Sequence, residues 1–188
     1  MQPDFKNALE DTPIIAAIKD ENGLRRCLKG DSRIIFILYG DLLTIPAIVD
    51  QVKDAGKLAV VHIDLVNGLH PREVAVDFIH RYTRADGIIS TKSNLIARAK
   101  ELGMFTVMRF FVIDSMAFSS MERQIRSVHP DVIEMLPALM PKVIQKVVSF
   151  AHCPVIAGGL ISDKEDVLSV LNAGATCISS TNPAVWFL

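Results

Sequence analysis

Four charged residues, Asp64, Lys92, Arg109 and Glu134, fall within or just beyond short apolar runs. Burial there is costly unless each charge is paired or reaches a wet surface. Such groups suit recognition of a polar ligand or acid, base or nucleophilic chemistry, with a lysine able to attack a carbonyl. Two uncharged stretches complete the set. In PVIAGGLIS, Gly158 and Gly159 leave backbone amides uncovered, and in GATCISSTNP an apolar run opens into Ser180, Thr181 and Asn182. Amides without a neighbouring Cβ approach anionic oxygens closely, and Pro183 is suited to open a helix whose dipole favours an anion. Phosphate is the expected guest. The plainer alternatives are a tight turn for the glycines and, for the four charges, a ring of ion pairs closing one end of the fold.

His62 shares strand parity with Asp64, but two ligands on one strand specify no metal, so it reads as a hydrogen-bonded core histidine. No role follows for His70, His80, His129 or His152.

The elements that must position these groups alternate. PIIAAI, RIIFILYG, LAVVHIDL, DGIISTK, FTVMRFFVID, DVIEMLP, PVIAGG and TCISST read as buried strands. Between them IPAIVDQVKDAG, PREVAVDFIHRY, NLIARAKELG and KEDVLSVLNAG have helical period. Strands alternating with helices predict a parallel sheet, either open and doubly wound or closed as an eight-stranded barrel. His62, Asp64, Ser90, Lys92, Arg109, Asp114, Glu134, Gly158 and Ser180 all lie near carboxyl ends of strands, which a barrel gathers around one mouth and an open sheet does not. The reading is one domain, residues 1–188, folded as a compact (β/α)8 TIM-type barrel. Such barrels usually need about 250 residues. Some helices must therefore be short, and the connection from Lys19 to Ser32 has room for little beyond GLRRCLKG.

Half of the 188 residues are apolar and the formal net charge is −1, so one sizeable core is expected and no general attraction to nucleic acid or acidic membranes. A polyanion would have to meet a local patch. The arginine-bearing stretches at 25–26, 80–84 and 122–126 read as solvated helix faces without interleaved aromatics. Three dispersed cysteines without a CxxC spacing suggest neither a disulfide framework nor zinc. MQPDFKNALEDTP has no apolar signal core and no run reaches membrane length, so a cytoplasmic protein without a membrane partner is expected.

HIDLVNGL, ADGIISTKSNLIARAKELG, MRFFVIDS, HPDVIEMLP, PVIAGGLIS and GATCISSTNPAVW follow in that order over nearly the whole chain. Together they resemble the motifs of the glycerol-uptake operon antiterminator regulatory proteins. The resemblance implies a barrel that senses glycerol 3-phosphate and, when loaded, binds leader mRNA to prevent premature termination of glycerol-utilisation genes. It implies a regulator without catalytic residues, metal or cofactor other than this effector, and leaves a homo-oligomer open. The ligand contacts would lie among Asp64, Lys92, Arg109, Glu134, Gly158, Gly159, Ser180, Thr181 and Asn182. Arg25 with Arg26, or Arg81 with Arg84, would meet the RNA. Residues alone favour a rival: an isomerase, lyase or aldolase-like barrel enzyme acting on a small phosphosugar or phosphorylated polyol through Lys92 or the Asp64 and Glu134 carboxylates.

Overall fold

In the computed structural model, which describes residues 3–188, eight parallel strands close into a barrel in chain order. They are β1 (Ile14–Ile18), β2 (Ile34–Ile37), β3 (Leu58–His62), β4 (Gly87–Ser90), β5 (Phe105–Phe111), β6 (Val132–Leu136), β7 (Val155–Gly158) and β8 (Cys177–Ser180). β8 pairs with β1 through Ile14–Ile178 and Ala16–Ser180, which closes the ring. The expected closed barrel is the observed architecture. Each strand is apolar on both sides because one side fills the barrel and the other meets a helix.

The crossovers are α2 (Glu21–Cys27), α3 (Ile45–Asp54), α4 (Glu73–Tyr82), α5 (Ser93–Glu101), α6 (Ser115–Val128), α7 (Pro141–Phe150) and α8 (Lys164–Asn172). The short α2 starts upstream of the expected GLRRCLKG because Asp20 caps it, its side chain accepting from Gly23 N at 2.7 Å. Asp114 and Asp163 cap α6 and α8 in the same way.

One further helix was not apparent from the acid-rich start of the chain. α1 (Pro3–Asp11) brings Phe5, Ala8 and Leu9 to the amino ends of the strands, at the spacing of one helical face. Phe5 stacks on Phe105 with centroids 3.7 Å apart, and the three join Ile15, Val132 and Cys177 in the interior cluster. The barrel floor is thereby sealed. Alternation along the strands then decides what lies above it. Two residues beyond the interior positions Val60, Val107, Val132, Ile156 and Cys177 come His62, Arg109, Glu134, Gly158 and Ser179, which form the top layer at the carboxyl ends.

Candidate functional site

The centre of the top layer is an ion pair. Arg109 Nε donates to Glu134 Oε2 at 2.6 Å, and Ser179 Oγ donates to Glu134 Oε1 at 2.5 Å. Glu134 is wholly buried and Arg109 is 7% exposed, so neither charge is balanced by water. Arg109 and Glu134 face each other because they are register partners on neighbouring strands. Gly158 completes this layer by lacking a side chain: a Cβ there would overlap Ser179 Oγ and lie 3.0 Å from Glu134 Oε1.

A second cluster surrounds Asp64. Ser90 Oγ donates to Oδ1 at 2.9 Å, the Thr91 amide and hydroxyl donate to Oδ2 at 2.8 and 3.0 Å, and Lys92 Nζ approaches Oδ1 at 3.3 Å. Burial alone would raise the Asp64 pKa, yet these donors, led by the Thr91 amide, hold it below the usual carboxylate value. Lys92 lies beyond the end of β4, at the N-cap of α5, and its side chain is 40% exposed. The four charges form two separate pairs rather than one continuous ring.

His62 lies between the pairs, under the electrostatic influence of Arg109, Asp64 and Lys92. It is 3% exposed and, among the described residues, its Nδ1 has no hydrogen-bond partner, which corrects the expectation of a satisfied core histidine. Strand alternation placed the ring inside the barrel, but its neighbours are taken up by each other. Desolvation, reinforced by Arg109, lowers the His62 pKa from 6.5 to about 4. The ring is therefore neutral in the folded protein near neutral pH. An unfolded chain takes up the proton as pH falls through 6.5 while the folded ring does not, so the fold loses stability in that window, by roughly 1 kcal/mol at pH 5.5. Asp64 acts only at lower pH, where its depressed carboxyl protonates. Urea midpoints of wild type and His62→Gln at pH 7 and 5.5 should show the variant losing less stability on acidification; identical losses would remove His62 as the cause.

Above Arg109 and Glu134 opens a cavity of about 320 Å3, walled by Leu136, the Gly159–Ser162 loop, Ser179, Ser180 and Thr181. Its rim is built from consecutive left-handed residues, Gly159 at φ 80° and Leu160 at φ 66°. That conformation is costly for a leucine, and Leu160 is 71% exposed, so its own burial does not explain it. A larger depression of about 520 Å3, lined by Leu42, Leu69, His70, Arg72, Val74 and Phe78 among others, carries none of the top-layer groups.

The β8 end differs in detail from expectation. Ser180 faces away from the barrel interior, its Oγ donating to Ile161 O at 3.3 Å and accepting from Asn182 N at 3.1 Å. The Asn182 side chain is committed as well, donating to Ser162 O at 3.2 Å and accepting from Ala184 N at 3.0 Å. These bonds tie the loop after β8 to the loop after β7. The helix expected after Pro183 is only a 3-10 turn, Val185–Phe187, because Trp186 folds back to donate from Nε1 to Ser180 O at 2.7 Å. Of the expected site residues, Arg109, Glu134, Gly159, Ser180 and Thr181 meet at this cavity, Asp64 and Lys92 pair nearby, and Gly158 and Asn182 shape it from behind. Ser179, which is not among the expected contacts, holds Glu134. Its signal was present: it is two residues from Cys177 and so shares the interior face.

Among the described residues no cluster of three or more potential metal ligands occurs, and no helix is long and apolar enough to cross a membrane. Comparison with known proteins gives concordant matches. The model of the glycerol-3-phosphate responsive antiterminator family matches residues 14–186. The uncharacterized protein YgcP of Escherichia coli (strain K12) is 42% identical over 180 residues, covering 96% of this chain and 94% of YgcP. The crystal structure of a glycerol uptake operon antiterminator regulatory protein from Listeria monocytogenes superimposes with a TM-score of 0.89 at 37% identity, covering 92% of this chain and 94% of that one. An antiterminator-related protein from Thermotoga maritima gives 0.82 at 34%, covering 93% and 98% respectively.

Proposed function

The chain belongs to the glycerol-3-phosphate responsive antiterminator family, and from that premise we propose that its mouth takes up glycerol 3-phosphate and that the loaded form binds leader mRNA to prevent premature termination. The observation that carries this reading is the cavity over Arg109, with the left-handed Gly159–Leu160 backbone on one side and Thr181 on the other. A guanidinium has five N–H donors, and Glu134 accepts from Nε, so Arg109 keeps donors for a phosphate oxygen. The charges of each pair offset one another, so backbone amides of the two loops supply the remaining attraction. The glycerol hydroxyls then extend toward the Asp64 and Lys92 side of the mouth.

The ligand acts by binding the RNA-competent state more tightly than the resting one. Coupling of about 1.4 kcal/mol suffices for a tenfold change in RNA affinity, and linkage requires RNA to tighten ligand binding by the same factor. A cytoplasmic site of action follows from that partner. The enzyme reading loses support at Lys92, since its amine is engaged with the Asp64 carboxylate at 3.3 Å rather than standing free to attack a carbonyl.

Fluorescence anisotropy with the leader transcript of a glycerol-utilisation gene from the same genome tests the proposal. About tenfold tighter binding is expected with glycerol 3-phosphate than without it. Unchanged affinity across a range of salt, together with turnover of the ester or a borohydride-trapped adduct on Lys92, would favour the enzyme.

A further inference from the structure

Five of the ten arginines are held in ion pairs among the described residues, Arg109 with Glu134 being one. Arg33 is paired with Asp11 at 2.7 Å, Arg98 with Asp77 and Glu101, and Arg126 with Glu122. Arg84 is held by Asp54 at 2.7 Å and Asp50 at 3.6 Å, which leaves the Arg81 and Arg84 stretch with one uncommitted arginine and two added carboxylates. On α2 the position is different. Arg25, Arg26 and Lys29 are exposed within five consecutive residues, and none forms an ion pair among the described residues. Arg25 and Arg26 close α2 and Lys29 follows in the turn just after it, all three exposed while Gly23, Leu24 and Cys27 are buried.

The fold adds what the local sequence lacks, an aromatic ring. Phe187 arrives from the far end of the chain and packs on the loop directly after α2, with Cε1 3.2 Å from where a Cβ of Gly30 would lie. It remains 55% exposed. Lys57 stiffens the loop beneath it, donating from Nζ to Gly30 O at 2.7 Å and Ser32 O at 2.9 Å. Beside the ring lies a cavity of about 240 Å3 that includes Asp11, Asp31 and Trp186 in its walls. Carboxylates there repel phosphate but accept hydrogen bonds from the exocyclic amine of a base.

We propose that α2 and Phe187 form a platform for single-stranded RNA, with Arg25, Arg26 and Lys29 meeting phosphates and one base stacked on Phe187 with its amine toward the acidic cavity. The proposal rests on the RNA reading above and adds the surface to it. It also gives the ligand a short route to the RNA. One segment carries Thr181 into the ligand cavity and Phe187 onto the platform, with Trp186 tied to Ser180 between them.

The test is anisotropy with labelled oligocytidylate, oligouridylate and a random-sequence RNA pool, over a salt series with glycerol 3-phosphate present, each variant first shown to be folded by circular dichroism. Phe187→Leu should weaken binding about tenfold, while Phe187→Trp, which keeps the stack, should not. Arg25→Gln with Arg26→Gln should weaken binding and flatten the salt slope by about 1.4, near 0.7 per single-strand phosphate contact. Arg81→Gln should bind as wild type does, and oligocytidylate should bind more tightly than oligouridylate. Wild-type affinity in the Phe187→Leu and arginine variants, a loss that follows Arg81 instead, or equal or reversed preference between the two homopolymers would overturn the platform while leaving RNA binding intact. If the wild-type protein binds neither these RNAs nor the leader transcript, the RNA reading itself fails and the platform with it.

Discussion

Arg109→Met is expected to destabilise the protein by about 3–5 kcal/mol, because it strands the fully buried Glu134 carboxylate with Ser179 as its remaining partner. For a chain of this size each kcal/mol shifts the melting temperature by about 2–4 °C, so a fall of roughly 10 °C is expected by calorimetry or circular dichroism. The double variant Arg109→Met with Glu134→Gln should recover part of the loss, since removing both charges abolishes the uncompensated burial. A single-variant change below about 1 kcal/mol, no more than an exposed ion pair contributes, would mean that the pair is solvated in solution. The experiment also shows why Arg109 cannot be treated as a ligand contact alone: loss of binding in its variants has to be separated from loss of fold.

Gly159→Val should keep the fold and lower glycerol 3-phosphate affinity by about tenfold to a hundredfold, the equivalent of one charge-assisted hydrogen bond. The backbone at 159 has φ 80°, a conformation β-branched residues rarely adopt, so valine drives the rim of the cavity away from its present shape. The space itself is not the obstacle, the nearest neighbour of an added Cβ being Leu136 Cδ2 at 3.4 Å. Gly158→Ala is the informative contrast. Its methyl would displace Ser179 from Glu134, so its effect should fall on stability first. Unchanged ligand affinity in folded Gly159→Val would remove the β7 loop from the phosphate site.

The barrel was legible because its strands are buried on both faces and therefore appear as unbroken β-branched runs, each handing a polar residue to the same end. Asp64, Arg109 and Glu134 were legible for the same reason: a charge on or just beyond such a run must find a partner, and they did, with Lys92 completing the second pair. What the sequence hid was relational. Ser179 and Ser180 are adjacent and chemically identical, and only the alternation of β8 sends Ser179 inward to Glu134 and Ser180 outward to Ile161. Gly158 and Gly159 likewise divide between packing and loop geometry. α1 escaped notice because only three of its residues are apolar, and a helix that plugs a barrel floor needs no more. Phe187 could not be connected with Arg25 and Arg26 at all, since more than a hundred and fifty residues separate them and only closure of β8 on β1 brings the ends of the chain together.

The most direct measurement is calorimetric titration of the protein with glycerol 3-phosphate, with glycerol and inorganic phosphate as controls. The expected result is saturable one-to-one binding of the ester, weaker binding of phosphate and none of glycerol, because the cavity over Arg109 holds the charged group and the hydroxyls only add to it. Absence of saturable binding, or glycerol binding as tightly as its phosphate ester, would contradict a phosphate-ester sensor in this mouth.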